Sequence, residues 1–140
     1  MIDNEINFVG DFIPQKFPFV MVDKLYSFTE TSLESGFEIK KNNIFFQNDV
    51  FVESGLIEHM AQSVALHTGY QFYLRNEPAP TGYIGSIKEI EIIELPKIND
   101  QLKTKVSILQ EFAGITLVEI ETKLNGVQIA YGQMKTVLAK

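Results

Sequence analysis

Residues 54–73 carry the sequence pattern that most constrains the fold. Apolar residues recur there every three or four positions, which is the spacing of one face of a helix. The segments on both sides carry aromatic and β-branched runs that are typical of strands. A chain with one long helix among strands is expected to pack that helix on a sheet, because each element has an apolar face to cover.

The rest of the chain divides into strand-like runs that are separated by turn signals. Asn125-Gly126 is typical of a two-residue hairpin, Ala113-Gly114 marks the preceding turn, and Gly36 is expected at a bulge. We predict strands at 19–29, 33–40, 82–95, 101–112, 115–124 and 127–138. We also predict a loop with a short extended piece at 42–53, a loop at 76–82, and a short helix or irregular lead-in at 3–13. This order predicts an α+β fold with the helix on one face of a mostly antiparallel sheet. The length of 140 residues predicts one domain, 1–140.

The composition excludes several classes of protein. The absence of cysteine excludes disulfides, thiolate zinc sites and a cysteine nucleophile, and two histidines are too few for a three-histidine zinc site, so we expect no metal. With 12 basic and 18 acidic residues, the net charge of −6 argues against a nucleic-acid partner. The acidic N-terminus does not resemble a signal peptide, and no apolar run is long enough to span a bilayer. We therefore expect a cytoplasmic protein with no membrane partner.

Within the predicted helix, Ser54 is a candidate N-cap because its hydroxyl can accept a hydrogen bond from an unpaired amide. A helical wheel centres the apolar stripe on Ile57, with Glu58 at its border and His59 on the opposite face. Ala65 and Gly69 make one side of the stripe small. This permits close approach of either the sheet or a ligand.

Glu58 and Gly55 each have two interpretations at this level. A carboxylate beside small apolar residues suits general acid–base catalysis, but periodicity alone favours the interpretation of Glu58 as an ordinary solvated helix glutamate. The amide of Gly55, at the start of the helix, either binds a developing oxyanion or belongs to a glycine that only permits the turn into the helix.

Three blocks of the sequence resemble the 3-hydroxyacyl-ACP dehydratases of fatty-acid synthesis. Residues 13–23 (IPQKFPFVMVD) are similar to the N-terminal segment of that family, and residues 58–62 (EHMAQ) to its central-helix signature. The third block is formed by residues 83–90, 95–96 and 99–102. The run ESGLIEHMAQ, residues 53–62, resembles in particular a divergent branch of dehydratase-like proteins in aryl-polyene and related pigment pathways.

The resemblance implies the hot-dog fold, in which a curved antiparallel sheet wraps a long central helix. It also implies removal of water from a 3-hydroxyacyl thioester, carried on the phosphopantetheine of an acyl carrier protein, to give a 2-enoyl thioester without a cofactor of the enzyme's own. By position, Glu58 matches the catalytic carboxylate, Gln62 a neighbouring structural glutamine, and Gly85 a substrate-binding glycine on the strand beside the acyl tunnel. Relatives pair through their sheets, so we expect a homodimer or larger assembly, or a heterodimer.

The chain departs from the family in the loop before the helix. The family places there the histidine that abstracts the α-proton, whereas the shorter loop of residues 45–54 contains none, and Asn48 is our candidate for orienting the substrate. Three interpretations therefore stay open. The chain is a divergent dehydratase in which Glu58 does most of the acid–base work, a hot-dog acyl thioesterase in which the carboxylate activates water, or a non-catalytic acyl-binding or heterodimer partner.

Overall fold

The computed structural model describes residues 9–139. Its elements, in chain order, are a 3₁₀ turn Val9–Asp11, β1 Lys24–Thr29, β2 Ser32–Glu38, β3 Phe46–Gln47, β4 Val50–Phe51, α1 Glu53–Leu74, β5 Gly82–Ile92, β6 Gln101–Phe112, β7 Ile115–Leu124 and β8 Val127–Leu138. The lead-in expected at 3–13 lies partly outside the described residues, and its described part contains the 3₁₀ turn.

Six strands form one sheet in the order β1-β2-β6-β7-β8-β5, and every neighbouring pair is antiparallel. Helix α1 packs against β2, β5, β6 and β7. Fully buried side chains from the helix and the sheet meet in the core, including Leu56, Met60 and Leu66 from α1 and Leu33, Val106 and Ile120 from the strands. The predicted α+β arrangement of a helix on an antiparallel sheet is confirmed.

Local turn chemistry sets the boundaries of the long C-terminal strands. Asn125 and Gly126 both have positive φ, 52° and 81°, as a two-residue hairpin with the twist of its strands requires. Ala113 and Gly114 form a second turn of the same kind, with φ of 54° and 79°. Strands β6, β7 and β8 therefore have the predicted bounds, whereas β5 ends at Ile92 instead of residue 95.

The first predicted strand is too long, because β1 begins at Lys24 instead of residue 19. Met21 is fully buried, but both of its backbone polar groups bond to helix side chains. Its N–H donates to Gln62 at 2.6 Å, and its carbonyl accepts from His59 at 2.7 Å. A backbone satisfied by the helix has no groups left for a sheet partner.

Two further local predictions are wrong. Ser54 is not the N-cap: α1 begins at Glu53, and its cap is Val52, which makes no side-chain cap hydrogen bond. Gly36 is not at a bulge, since the register shift on this edge lies between Leu25 and Ser27 of β1. Instead, a Cβ on Gly36 would lie 2.7 Å from the ring of Tyr26, so the glycine makes room for that ring.

The helical wheel also placed the buried face wrongly. His59 is fully buried, and so are its neighbours on the same face, Met60 and Ser63. The predicted centre, Ile57, is only half-buried. Polar side chains are buried on the inner face because they hydrogen-bond there. Ser63 donates to the carbonyl of His59 at 2.9 Å, and Ser35 of β2 lies 2.8 Å from the Ser63 hydroxyl.

Candidate active site

A cavity of about 620 Å³ lies along the half-buried stripe of α1. It is lined by the N-terminal segment 11–15, the helix from Glu58 to Tyr73, the loop 77–81, the start of β5 at residues 82–84 and the end of β8. The small residues of the stripe therefore serve two purposes. Ala61 and Ala65 leave space for the cavity, whereas Gly69 lies directly under the backbone carbonyl of Phe12, which a Cβ would overlap.

Glu58 lines this cavity and is held by Gln62, one helical turn further on. The side-chain amide of Gln62 donates to Glu58 Oε2 at 2.8 Å. The other carboxylate oxygen, Oε1, has no hydrogen-bond partner within residues 9–139. One oxygen of Glu58 is thus fixed while the other is available to a ligand.

Gln62 is fully buried and ties the helix to the N-terminal segment. Its Oε1 accepts from the backbone N–H of Met21 at 2.6 Å, and its Nε2 also donates to the carbonyl of Phe19 at 2.8 Å. This amide therefore makes three hydrogen bonds, of which two set the path of the chain and one orients Glu58.

His59 points away from Glu58, into the sheet. A carbonyl can only accept, so Nδ1–H donates to Met21, and Nε2 accepts from the Thr104 hydroxyl at 2.7 Å. Thr104 in turn lies 2.7 Å from the Thr122 hydroxyl. Burial removes the imidazole from water and lowers the pKa of His59 to about 4, so it is neutral and fully bonded at pH 7.

His67 also lies outside the cavity of Glu58. It stacks on Phe28, and its Nε2–H donates to the carbonyl of Thr29 at 2.9 Å. Burial lowers its pKa, against the raising effect of nearby backbone hydrogen bonds. It lines a second cavity of about 410 Å³, which shares Val64, Thr68, Thr136 and Leu138 with the first.

The other predicted site residues are not among those that line the cavity of Glu58. Asn48, together with Asp49, forms the turn between β3 and β4, with φ of 54° and 66°. A Cβ on Gly55 would lie 2.5 Å from Phe45 and 2.7 Å from Phe51, so close packing of these aromatic residues requires a glycine. Gly85 lies in β5, at a register shift between Ile84 and Ser86. Their roles in substrate binding remain predictions.

The cavity contains residues that sequence reasoning missed. Gln15 lies within the block of residues 13–23, and its side-chain oxygen is buried without a hydrogen-bond partner among the described residues. Asp11 and Glu77 line the cavity as well, and in the described part of the chain no lysine, arginine or histidine does so. The segment that carries Asp11 and Gln15 is remote from the helix in sequence, whereas Glu77 follows the helix directly. Of the three residues, only Gln15 lies in a block that the family resemblance marked.

The geometry of this cavity suits proton transfer on a neutral ligand. The three carboxylate residues Asp11, Glu58 and Glu77 disfavour an anionic ligand such as a free fatty acid, and the apolar stripe offers a surface to an acyl chain.

Two other kinds of feature are not found in residues 9–139. No group of three or more histidine, aspartate or glutamate residues is placed to hold a metal ion. The described helices include none with the length and apolar character of a membrane span.

Comparison with known proteins decides the family. A family model described as "ApeP-like: ApeP dehydratase" matches residues 8–139. The chain belongs to the ApeP-like dehydratase family. Membership in this family confirms the resemblance, and with it the expectation of a dehydratase-like lyase.

Among curated proteins, the 3-hydroxyacyl-[acyl-carrier-protein] dehydratase FabZ of Vibrio atlanticus (strain LGP32) is 28% identical over 137 residues, covering 91% of this chain and 88% of that protein. Among solved structures, the dehydratase heterocomplex ApeI:P from Xenorhabdus doucetiae contains a chain similar to this one with a TM-score of 0.81 and 15% identity, covering 94% and 91% of the two chains.

A hypothetical thioesterase with coenzyme A from Streptococcus pneumoniae TIGR4 has a TM-score of 0.66 and 9% identity, covering 82% of this chain and 84% of that chain. At such low identities these structures show the fold alone. The hot-dog fold is thereby confirmed, with one central helix on a six-stranded antiparallel sheet.

Proposed function

We propose that this protein dehydrates a 3-hydroxyacyl thioester of an acyl carrier protein to the 2-enoyl thioester, with Glu58 as the group that moves the proton. The observation that carries the proposal is the Glu58 carboxylate in the cavity, with one oxygen held at 2.8 Å by Gln62 and the other without a partner among residues 9–139. The FabZ relative supports the choice of substrate, since its name states that reaction.

A single carboxylate can carry out the whole elimination. Glu58 takes the proton from the carbon next to the thioester carbonyl, which leaves the electron pair in an enolate. The protonated Glu58 then gives that proton to the 3-hydroxyl, which leaves as water while the carbon–carbon double bond forms. Atoms and charge balance, and the carboxylate is regenerated. Because one group serves both positions, the proton and the hydroxyl leave from the same face of the substrate.

Gln62 acts in this scheme as a positioning residue. Its amide is fixed by Phe19 and Met21, so it holds Glu58 Oε2 in place without a loss of side-chain freedom at the moment of reaction. The acyl chain lies along Ala61 and Ala65 in the cavity, and the phosphopantetheine arm belongs to the carrier protein, so no cofactor of the protein's own is required.

A second candidate function is that of one subunit in a complex of two hot-dog chains. Two observations favour it. Neither imidazole reaches the cavity of Glu58 in the described residues, and β5 is an edge strand with exposed apolar side chains, of which Tyr83 is 60% and Ile87 46% exposed. An exposed apolar edge favours pairing with another strand. A second chain on β5 would lie beside the mouth of the cavity at residues 82–84.

The test is conversion of a 3-hydroxyacyl carrier-protein thioester to the 2-enoyl product by the protein alone, by Glu58→Gln and by the control Glu53→Gln. Glu53 is exposed in the first turn of the same helix, so its loss leaves the rate unchanged. We expect Glu58→Gln to lower the rate by about 10²-fold or more. Equal rates for the wild type and Glu58→Gln would contradict the proposal.

The same assay separates the alternatives. No turnover by this chain alone, followed by turnover on addition of a second hot-dog subunit, would favour the heterocomplex. Release of free thiol from acyl thioesters, without formation of the enoyl product, would favour a thioesterase. The cytoplasmic location and the single domain 1–140 remain predictions.

A further inference from the structure

We infer that Gln15 binds the substrate, and that its side-chain oxygen accepts the hydrogen of the 3-hydroxyl group that leaves as water. The inference rests on the proposed function for the identity of the substrate. This contact determines specificity, and it comes from the N-terminal segment and not from the helix that carries Glu58.

The first observation is an unpaired acceptor. Oε1 of Gln15 is buried and has no hydrogen-bond partner among the described residues. A buried acceptor without a partner destabilises a fold, because its lost hydrogen bonds with water are not replaced. Gln62, the other buried glutamine amide of this region, makes three hydrogen bonds, so the region can satisfy an amide fully. The unpaired oxygen of Gln15 therefore points to a donor that arrives with a ligand.

The second observation is its place. Gln15 and Glu58 line the same cavity, Gln15 from the N-terminal segment and Glu58 from α1. The segment that carries Gln15 is held in place, because Lys16 Nζ donates to the Gly10 carbonyl at 2.9 Å and the Phe12 backbone lies on Gly69. The position of the Gln15 backbone is thus set, while the terminal torsion of a glutamine side chain is soft. The amide can turn its oxygen toward a ligand, and Oε1 breaks no hydrogen bond when it does so.

The chemistry of the leaving hydroxyl also requires an acceptor besides Glu58. A hydroxyl that accepts a proton from Glu58 uses an oxygen lone pair, so its own hydrogen must point to a different acceptor. A neutral amide oxygen suits this position better than a carboxylate, because it accepts the hydrogen bond without competing for the proton. With Gln15 as the acceptor, the lone pair of the hydroxyl faces Glu58 before the carbon–oxygen bond breaks, and water leaves with both hydrogens.

The test compares binding of two ligands, a 3-hydroxyacyl pantetheine thioester and the saturated acyl thioester of the same length. Dissociation constants for both ligands are measured in Glu58→Gln and in the double variant Glu58→Gln/Gln15→Met, because the Glu58→Gln substitution suppresses turnover. We expect the Glu58→Gln protein to bind the hydroxylated ligand more tightly than the saturated one. Adding Gln15→Met should weaken the binding of the hydroxylated ligand alone, by about 10- to 100-fold. Methionine has a similar length but no strong acceptor.

A structural role of Gln15 would give a different result. Replacing a buried unpaired acceptor by an apolar group does not destabilise the fold, so Gln15→Met should keep or raise the free energy of unfolding. Gln15→Leu serves as a second variant if methionine perturbs the segment. Equal weakening of both ligands, or a hydroxyl preference that survives in Gln15→Met, would overturn the inference. Failure of the proposed function would give a different result. The wild-type protein would then form no enoyl product, although the preference for the hydroxylated ligand in the binding measurements is intact.

Discussion

Gln62 donates a hydrogen bond to Glu58 across one turn of α1, at 2.8 Å, and the same amide accepts from Met21 and donates to Phe19. The candidate catalytic carboxylate is therefore oriented by a side chain whose other bonds fix the N-terminal segment. One buried amide thus links the packing of that segment to the alignment of the site.

Replacing Gln62 should affect stability and activity together. Gln62→Leu leaves the Met21 amide and the Phe19 carbonyl without partners and releases Glu58. We expect a loss of about 2–4 kcal/mol in the free energy of unfolding and a fall in kcat. Urea denaturation and the enoyl assay measure the two effects. Gln71→Leu, a half-buried glutamine on the same helix, should change stability by less than about 0.5 kcal/mol. Equal effects of the two substitutions would contradict this assignment.

Burial of His59 should make stability depend on pH below neutrality. Its pKa falls from 6.5 to about 4 on folding, so between these values the unfolded chain binds more protons and stability drops as the pH falls. The loss begins near pH 6.5 and reaches about 3 kcal/mol near pH 4. Asp23, whose pKa burial raises, contributes with the opposite sign, so the relevant measurement is the difference between the wild type and His59→Gln. Parallel stability curves for the two proteins between pH 4 and 7 would be inconsistent with a buried, neutral His59.

The close approach of the N-terminal segment to the helix should be sensitive to one methyl group. Gly69→Ala places a Cβ onto the backbone carbonyl of Phe12, which cannot move without shifting the segment. Although alanine favours the helix, we expect a net destabilisation of about 1–3 kcal/mol and weaker substrate binding. Gly10→Ala, where a Cβ meets nothing within 4 Å, provides the control in thermal denaturation. A Gly69→Ala protein as stable as the wild type would show that the segment is not packed in this way.

A charge on the exposed edge of the sheet should prevent association through β5. Ile87 is 46% exposed on this edge strand, and Ile87→Lys places an ammonium group where a partner strand would pack. We expect the wild type to have at least the mass of a dimer by light scattering and Ile87→Lys to have the mass of a monomer. Val127→Lys, at a 65% exposed position beside the hairpin turn, should leave the mass unchanged. A monomeric wild type, or a variant of unchanged mass, would exclude association through β5.

Sequence patterns were most informative where a single element sets its own structure. The Asn125-Gly126 turn, whose residues adopt positive φ, fixes the ends of β7 and β8, and the Ala113-Gly114 turn does the same for β6 and β7. The strand prediction failed at Met21 because its backbone bonds to Gln62 and His59, which lie in the helix about forty residues further along the chain.

The site could be predicted only in part. The family signature predicted Glu58 and Gln62 as site residues, and the structure joins their side chains by a hydrogen bond. Gln15 lies in a block that resembles the family, but neither it nor the acidic residues Asp11 and Glu77 were predicted as site residues. They become cavity-lining residues only when the N-terminal segment and the loop after the helix pack beside α1.

The sequence by itself determined the types and order of the long elements, the lengths of β6 to β8 and the family of the chain, because hydrophobic period, turn chemistry and motif spacing are local properties. The tertiary structure alone decided which face of α1 is buried. The wheel favoured Ile57 on apolar character, but the inner face carries His59 and Ser63, whose polar groups find partners on β2, β6 and the Met21 backbone. Burial depends on what an element packs against, and a polar side chain is stable in the core once its hydrogen bonds are made there.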